Sequence, residues 1–375
     1  MSELTYKDTV NAKYHEMINQ ELKEMPSFVR IFMNAVAQSV SESTRYGYLL
    51  DIKTFLHFLQ QNNPLCADIP LKDLDISVLE KIDPMDLDEY MAYLKSYSDP
   101  VTGLLRQNTP GSIKRKMSAI STMYAKLNKR RVVTNNPVNG IDLPKINEST
   151  IKKDFLTDDE ISSLFAAIEN GSTLSDTSKK IVMGHTKYRD FAIVMTLLSS
   201  GIRVSELVGL NVDDIAFDDP EADDMGNTVY AATVHRKGGR SDTVMLTEEC
   251  VNVIRIYMEQ ERPHLMGTND NAQQPALFLS LRKKRISVDS VQILLHKYGD
   301  PVIAHGKIMH PHLLRKTRGT RLYNATGDLY LTADVLGHKN VDVTRKHYTS
   351  IYDERKRNAA YAGQYEDSEQ QKPDL

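Results

Sequence analysis

The segment from His310 to Tyr348, HPHLLRKTRGTRLYNATGDLYLTADVLGHKNVDVTRKHY, constrains the fold more tightly than any other part of the chain. Glycines punctuate it. LLRKTRGTRL reads as a helix that carries His312 and Arg315 three residues apart and that Gly327 ends. Leu336-Gly337-His338 reads as a second, short helix stopped by its glycine, with the histidine just past the stop. Tyr348 follows ten residues later, on a third short helix that Asn340 or Asp342 would cap. Histidine, arginine, histidine and tyrosine at this spacing suit phosphodiester chemistry. Arginines clamp the phosphate, histidines trade protons or hydrogen bonds with it, and a phenol attacks phosphorus.

At 375 residues the chain has room for two domains with separate cores. It has no apolar run near the roughly 20 residues that a membrane span needs. The opening MSELTYKDTVNAKYHEM is charged and lacks the apolar core of a signal peptide, so a cytoplasmic protein is expected. Cys66 and Cys250 are the 2 cysteines; without CxxC spacing they indicate neither a disulfide framework nor a thiolate metal site. Net charge is -3, which by itself argues against a nucleic-acid binder. The distribution argues the other way. Between Val101 and Asn147 the cations include Lys114, Arg115, Lys116, Lys126 and Lys129, against the acid Asp142. Between Leu279 and Arg321 they include Arg282, Lys283, Lys284, Arg285, Lys316 and Arg318, against Asp289 and Asp300. Two basic blocks in an acidic chain suggest two faces closing on a polyanion.

In chain order, residues 1–40 read as helical without chemistry. Ser43 is expected to cap an amphipathic helix with Tyr46, Leu49, Leu50, Leu56 and Leu59 at helical intervals. A loop is expected from Asp99 to about Asn108. A basic helix follows from Gly111 to about Asn128, then an extended linker over Val138–Pro144. Thr157 with Glu160 forms a capping box, Gly171 to Thr186 reads as loop, and Tyr188 to Ser200 as a buried helix that Gly201 ends. Thr228–Val234 and Thr243–Leu246 read as strands about a Lys237-Gly238-Gly239-Arg240 turn. Helices are expected over Thr247–Met258 and from Ser287 to about Tyr298. Between them stand a loop from Pro263 to Pro275 and a short strand at Leu277–Ser280.

His312-x-x-Arg315, Leu336-Gly337-His338 and Tyr348 resemble the C-terminal signature of the tyrosine recombinase (phage-integrase) family. Gly201-Ile202-Arg203, with Glu206 three residues on, resembles the position of that family's first catalytic arginine. TPGSIKRKMSAISTMYAKLNKRRVVTNNPVNGIDLPK resembles the end of its core-binding domain and the linker after it. The wording from RKTRGT to RKHY resembles most closely the single-recombinase Xer proteins of Gram-positive bacteria, which resolve chromosome dimers.

The resemblance implies a mainly α fold with a small antiparallel sheet. A helical core-binding domain (residues 1–144), a linker (145–154) and a catalytic domain (155–350) would form a C-shaped clamp on DNA. Residues 351–375 would form a helix exchanged between protomers and a polar tail. It implies Arg203, Lys237, His312, Arg315, His338 and Tyr348 as the catalytic set. Glu206 would position Arg203, Tyr348 would form a 3′-phosphotyrosyl link, and Lys237 would protonate the departing 5′-oxygen. His312 would act as acid–base partner and His338 as a hydrogen-bond donor to the phosphate. Lys114, Arg115, Lys116, Arg282, Lys283, Lys284 and Arg285 are expected on DNA phosphates. The implied partners are double-stranded DNA with inverted half-sites, a homotetramer on two sites (a dimer per site) and a DNA translocase or accessory protein. No cofactor is implied.

Lys316 stands where the family usually has histidine, Arg236 where it more often has glycine, and the His338–Tyr348 interval is one residue longer than the commonest. A zinc reading of His305, His310, His312 and His338 lacks any HExxH-like carboxylate. His296 and His310 are expected to be structural. An integrase or excisionase of a phage or conjugative element is the alternative within the class. A type IB topoisomerase and a non-catalytic DNA-binding regulator are the alternatives outside it.

Overall fold

The computed structural model describes residues 6–99, 102–145, 155–236, 240–266, 275–304, 306–338 and 340–341. Lys237, His305, Tyr348, most of the linker and the terminal helix lie outside the described residues. The fold is mostly helical with small antiparallel sheets, and the chain divides into two compact units, Met1–Ile151 and Lys152–Leu375.

The first unit runs through α1 (Tyr6–Glu21), α2 (Ser27–Val36), α3 (Glu42–Asn62), α4 (Ser77–Lys81), α5 (Pro84–Lys95), β1 (Ser96–Ser98), β2 (Leu105–Gln107) and α6 (Pro110–Lys129). Leu49, Ile52, Phe55, Leu56 and Leu59 of α3 share one core with Ile113, Met117, Ile120, Tyr124 and Leu127 of α6. The cap of α3 is Ser41 rather than Ser43: its Oγ accepts from the Thr44 N–H, and Ser43 lies within the first turn. The expected loop from Asp99 to Asn108 closes a small antiparallel hairpin, with Tyr97 opposite Arg106. Three-residue strands of serine and polar residues carry too little alternation to be read from sequence. Pro137–Gly140, expected extended, is a 3₁₀ turn with Pro137 and Val138 buried.

The second unit opens with α7 (Asp158–Asn170), α8 (Asp176–His185), α9 (Lys187–Ser200) and α10 (Val204–Gly209), then a sheet of β3 (Ile215–Ala222), β4 (Thr228–Arg236) and β5 (Arg240–Thr247). It continues with α11 (Glu248–Gln260), α12 (Arg262–Met266), α13 (Val288–Gly299), α14 (Pro311–Thr326) and α15 (Leu329–Val335). The apolar α9 is central and packs against both α11 and α14.

Three expectations need correction here. Residues 171–186 are not simply loop: Ser175 caps α8, a surface helix that buries Val182 and therefore shows little apolar stripe. The acidic stretch from Asp213 to Asp224 carries β3, the solvent-facing edge of the β3-β4-β5 order. An edge strand tolerates such acids and Pro220. Leu277–Ser280 makes isolated bridges, Asn211 to Ala276 and Leu279 to Arg285, in place of a strand. Residues 262–266, expected in part as loop, form α12.

The second unit starts on a fastened segment. Leu156 N–H donates to Thr317 Oγ1 of α14 at 2.9 Å. Thr157 and Glu160 make the capping box, and Lys307 Nζ donates to both Glu160 oxygens at 2.9 and 2.7 Å. Burial alone would raise the Glu160 carboxyl, but Lys307 and the Ala304 and Thr157 N–H groups outweigh it and hold the group at about 2. A depressed folded-state value contributes stability that is present above the ordinary value of 4.5 and lost as pH falls toward 2. Glu160→Gln is expected to destabilise the second unit by about 1–3 kcal/mol near neutral pH. Thermal unfolding followed by circular dichroism should show the gap to wild type closing as pH drops through that window.

Candidate active site

α15 ends in a Schellman motif. Gly337 N–H donates to Asp334 O at 2.7 Å and His338 N–H to Ala333 O at 2.8 Å, with Gly337 at φ +62. This turn satisfies two of the helix's last carbonyls and leaves those of Leu336 and Gly337 to be met from elsewhere. Arginines meet them. Arg315, on α14 and only 3% exposed, donates through Nη2 to Leu336 O and through Nη1 to Gly201 O at 2.5 Å. Arg203, at the cap of α10, donates through Nη2 to Gly337 O at 3.3 Å. Arg236, the last residue of β4, donates through Nη1 to Leu336 O at 3.2 Å.

The two arginines singled out from the sequence therefore converge on successive carbonyls of one turn. Arg315 also grips the backbone two residues before Arg203. Gly201 is required there: it sits at φ +67, and a Cβ on it would meet Leu336 Cδ2 at 2.8 Å and Arg318 Cγ at 3.0 Å. Glu206 accepts from the Arg203 backbone N–H and from its Nη1, both at 2.8 Å, which fixes where that guanidinium stands. The Arg203 side chain is 43% exposed while that of Glu206 is 4% exposed. The carboxylate is enclosed and the guanidinium reaches the surface.

His338, half-buried, leaves the same turn. His312 lies one turn before Arg315 on α14 and is exposed. Its ring stacks on that of His310, with centroids 6.4 Å apart and planes 12° off parallel. His310 is the helix cap, accepting from the Leu313 N–H at 3.1 Å through Nδ1, a structural task. His296 pairs with Asp300 at 3.0 Å.

Charge around the turn is strongly positive. Arg203 pairs with Glu206 and Arg236 with Asp242, while Arg315 meets backbone carbonyls and Arg318 packs beside Gly201. Burial, with Arg321 nearby, pulls the Arg318 guanidinium below its ordinary value. In sequence Arg236 only stands where the resembled family more often has glycine; its reach to the turn is a tertiary contact that no local signal announces.

The basic tracts divide. Arg115 donates to both Asp51 oxygens at 2.5 and 2.8 Å, and Lys116 to one at 3.1 Å. Asp51 is 2% exposed, so these cations neutralise a buried acid, although the Arg115 side chain remains 59% exposed. Arg285, expected on phosphate, is half-buried and donates to Val208 O, Leu210 O and Asn211 Oδ1 at 2.9, 2.8 and 2.5 Å. That is a structural cross-link and a correction. Lys114, Arg282, Lys283 and Lys284 are exposed.

A family model described as the phage integrase family matches residues 154–355. The chain is similar to the tyrosine recombinase XerC of Caldanaerobacter subterraneus subsp. tengcongensis, 32% identical over 354 residues that cover 92% of this chain and 89% of the relative. It is similar also to the tyrosine recombinase XerS of Lactococcus lactis subsp. lactis, 29% identical with 89% of this chain and 94% of the relative covered. In fold it is similar to the XerH site-specific recombinase bound to palindromic difH substrate in a post-cleavage complex. That match has a TM-score of 0.61 at 15% identity and covers 97% of this chain and 92% of the other. A lambda integrase dimer bound to a COC′ core site gives a TM-score of 0.57 at 16% identity, covering 86% of this chain and 94% of the other.

The two converging arginines are expected to differ in what their loss costs. Arg315→Ala would leave two backbone carbonyls without that donor, about 2–4 kcal/mol of stability. Arg203→Lys keeps a cation beside Glu206 and should cost less than about 1 kcal/mol. Chemical denaturation of the two variants checks the difference.

Proposed function

The chain belongs to the phage integrase family, a Xer-like site-specific tyrosine recombinase, and we propose that its active site is built on Arg203, Lys237, His312, Arg315, His338 and Tyr348. The observation that supports this reading best is the meeting of Arg203 and Arg315 on the carbonyls of Leu336 and Gly337. A carbonyl oxygen and a non-bridging phosphate oxygen make the same demand on a guanidinium, so a turn that gathers two arginines is suited to a phosphodiester beside it. Arg203, half-exposed and steadied by Glu206, is the arm that faces incoming DNA. Arg315 fixes the floor from beneath.

Attack by Tyr348 Oη on phosphorus forms the phosphotyrosyl bond at the 3′ side and breaks the bond to the 5′-oxygen. Lys237 gives that oxygen its proton. A phenol titrates near about 10, so the phenolate needs nearby guanidiniums, which also neutralise the charge that builds on the phosphate as five oxygens crowd it. His312, on the turn before Arg315, acts as acid–base partner, and His338 donates to the phosphate. The reverse attack by a 5′-hydroxyl restores the phosphodiester and releases the tyrosine. Bond energy is conserved in the adduct, so no nucleotide cofactor enters the balance.

The substrate is double-stranded DNA with inverted half-sites, bound as a dimer per site and recombined as a tetramer on two sites. Similarity to XerC and XerS over nearly the whole chain favours chromosome dimer resolution over integration of a mobile element. Residues 1–144 serve as the core-binding domain and 155–350 as the catalytic domain. Exposed Lys114, Arg282, Lys283 and Lys284 supply phosphate contacts that set position without reading sequence.

Wild-type protein is expected to become covalently attached to a nicked suicide duplex, seen as a species that survives denaturing gel electrophoresis. Tyr348→Phe should bind the same duplex and form no adduct. An adduct that persists in Tyr348→Phe, or none with wild type, overturns the assignment.

A further inference from the structure

Arg236 has no part in the roles assigned so far, yet its guanidinium is largely enclosed and reaches both the end of α15 and β5. Its side chain is 12% exposed, its Nε lies 2.6 Å from Asp242 Oδ2, and its Nη1 donates to Leu336 O. It lies so close against Gly337 that a Cβ built on that glycine would overlap Nη1 and Cζ. Asp242 is on β5, diagonally across the ladder in which Arg236 faces Arg240 and Val234 faces Asp242. One side chain thus joins both strands to the end of α15.

We propose that Arg236 is a positioning residue: it clamps the 336–338 turn to the sheet and so sets where His338 and the two catalytic arginines stand. This rests on the recombinase reading above. A structural need at Leu336 O is already met by Arg315. Bringing a second guanidinium to the same oxygen sets like charges side by side, a cost that Asp242 offsets only in part. The arrangement makes physical sense where a phosphate completes the charge balance and where the turn must not shift under it. Lysine would not serve, because a single ammonium cannot reach Leu336 O and Asp242 with a planar fork. Glycine at 337 is fixed twice, by its φ of +62 and by the guanidinium lying on it.

The test uses full-length protein and a nicked palindromic duplex carrying the half-sites that wild-type protein selects from random-sequence DNA. Single-turnover adduct formation is measured with enzyme in excess, alongside DNA affinity and melting temperature. Arg236→Ala should slow adduct formation by about 10- to 100-fold, the scale of a small misplacement of catalytic groups, with DNA affinity unchanged. Asp242→Asn, a milder change that leaves the arginine in place, should slow it in the same direction by less. Gly337→Ala should be slowed severely by collision with Arg236, and adding Arg236→Ala should make that protein faster. Such suppression would not arise from two residues that merely support the fold. Wild-type cleavage rates in both Arg236→Ala and Asp242→Asn, or losses that multiply in the double variant, overturn the inference while wild-type attachment through Tyr348 still stands. Absence of any wild-type adduct overturns the recombinase reading and this inference together.

Discussion

One buried guanidinium ties distant segments of the second unit together. Arg315, in the second turn of α14, ties Gly201 O to Leu336 O, segments more than a hundred residues apart in sequence. A charge with 3% exposure must have its donors met, and two backbone carbonyls at the ends of helices are among its acceptors. Because Gly201 precedes Arg203 by two residues and Leu336 precedes His338 by two, holding these carbonyls also fixes the backbone from which Arg203 and His338 project. The same bond that lets the arginine be buried fixes the geometry of its neighbours. Stability and chemistry are therefore coupled at this residue more closely than at Arg203, which sits at the surface and answers to Glu206.

Local signals made much of the scaffold legible. Gly327 and Gly337 were readable as helix stops because a left-handed residue after a helix is a local demand, and both have positive φ. Thr157 with Glu160 was readable as a capping box for the same reason. The strands about residues 237–239 were readable from β-branched residues, whereas β3 was hidden by its acids, which an edge strand can carry. α8 was hidden because a helix lying on the surface with one buried residue has no stripe to detect. At the site, His312 and Arg315 follow from spacing on one helix. Arg203 entered through family resemblance, and neither spacing nor charge would have joined it to residues 336 and 337. Arg285 and Arg236 show the converse. Each sits in a visibly basic stretch, and each turns its charge inward onto carbonyls.

Basic residues in this chain are thus a poor count of charge available to a partner. Lys116 and Arg115 answer the buried Asp51, and Lys307 answers Glu160. In the Arg282–Arg285 run, the Ser280 N–H and Oγ both donate to Lys284 O, and Lys283 takes φ 59, so a tight turn presents Arg282, Lys283 and Lys284 outward while Arg285 anchors it. Anchoring a cationic turn through its own last cation lets a protein of net negative charge hold a basic feature rigid. Placement, more than the number of charges, then decides where a polyanion can lie.

The carbonyls at the end of α15 explain how such a site persists without its substrate. Guanidiniums brought together repel, and in a partly buried wall that repulsion is screened only weakly. Leu336 O and Gly337 O, left over by the Schellman turn, give each arginine an oxygen with the directionality that a phosphate would offer. The three contacts are not equal. Arg315 and Arg236 are enclosed and also hold Gly201 O and Asp242, respectively, whereas Arg203 reaches Gly337 O at 3.3 Å, near the limit of a hydrogen bond, with its side chain 43% exposed. An arriving phosphate therefore competes most easily for Arg203, and it can do so without disturbing the two bonds that fix the turn. The difference follows from burial: the enclosed pair holds the turn, and the exposed arginine is the one open to another acceptor.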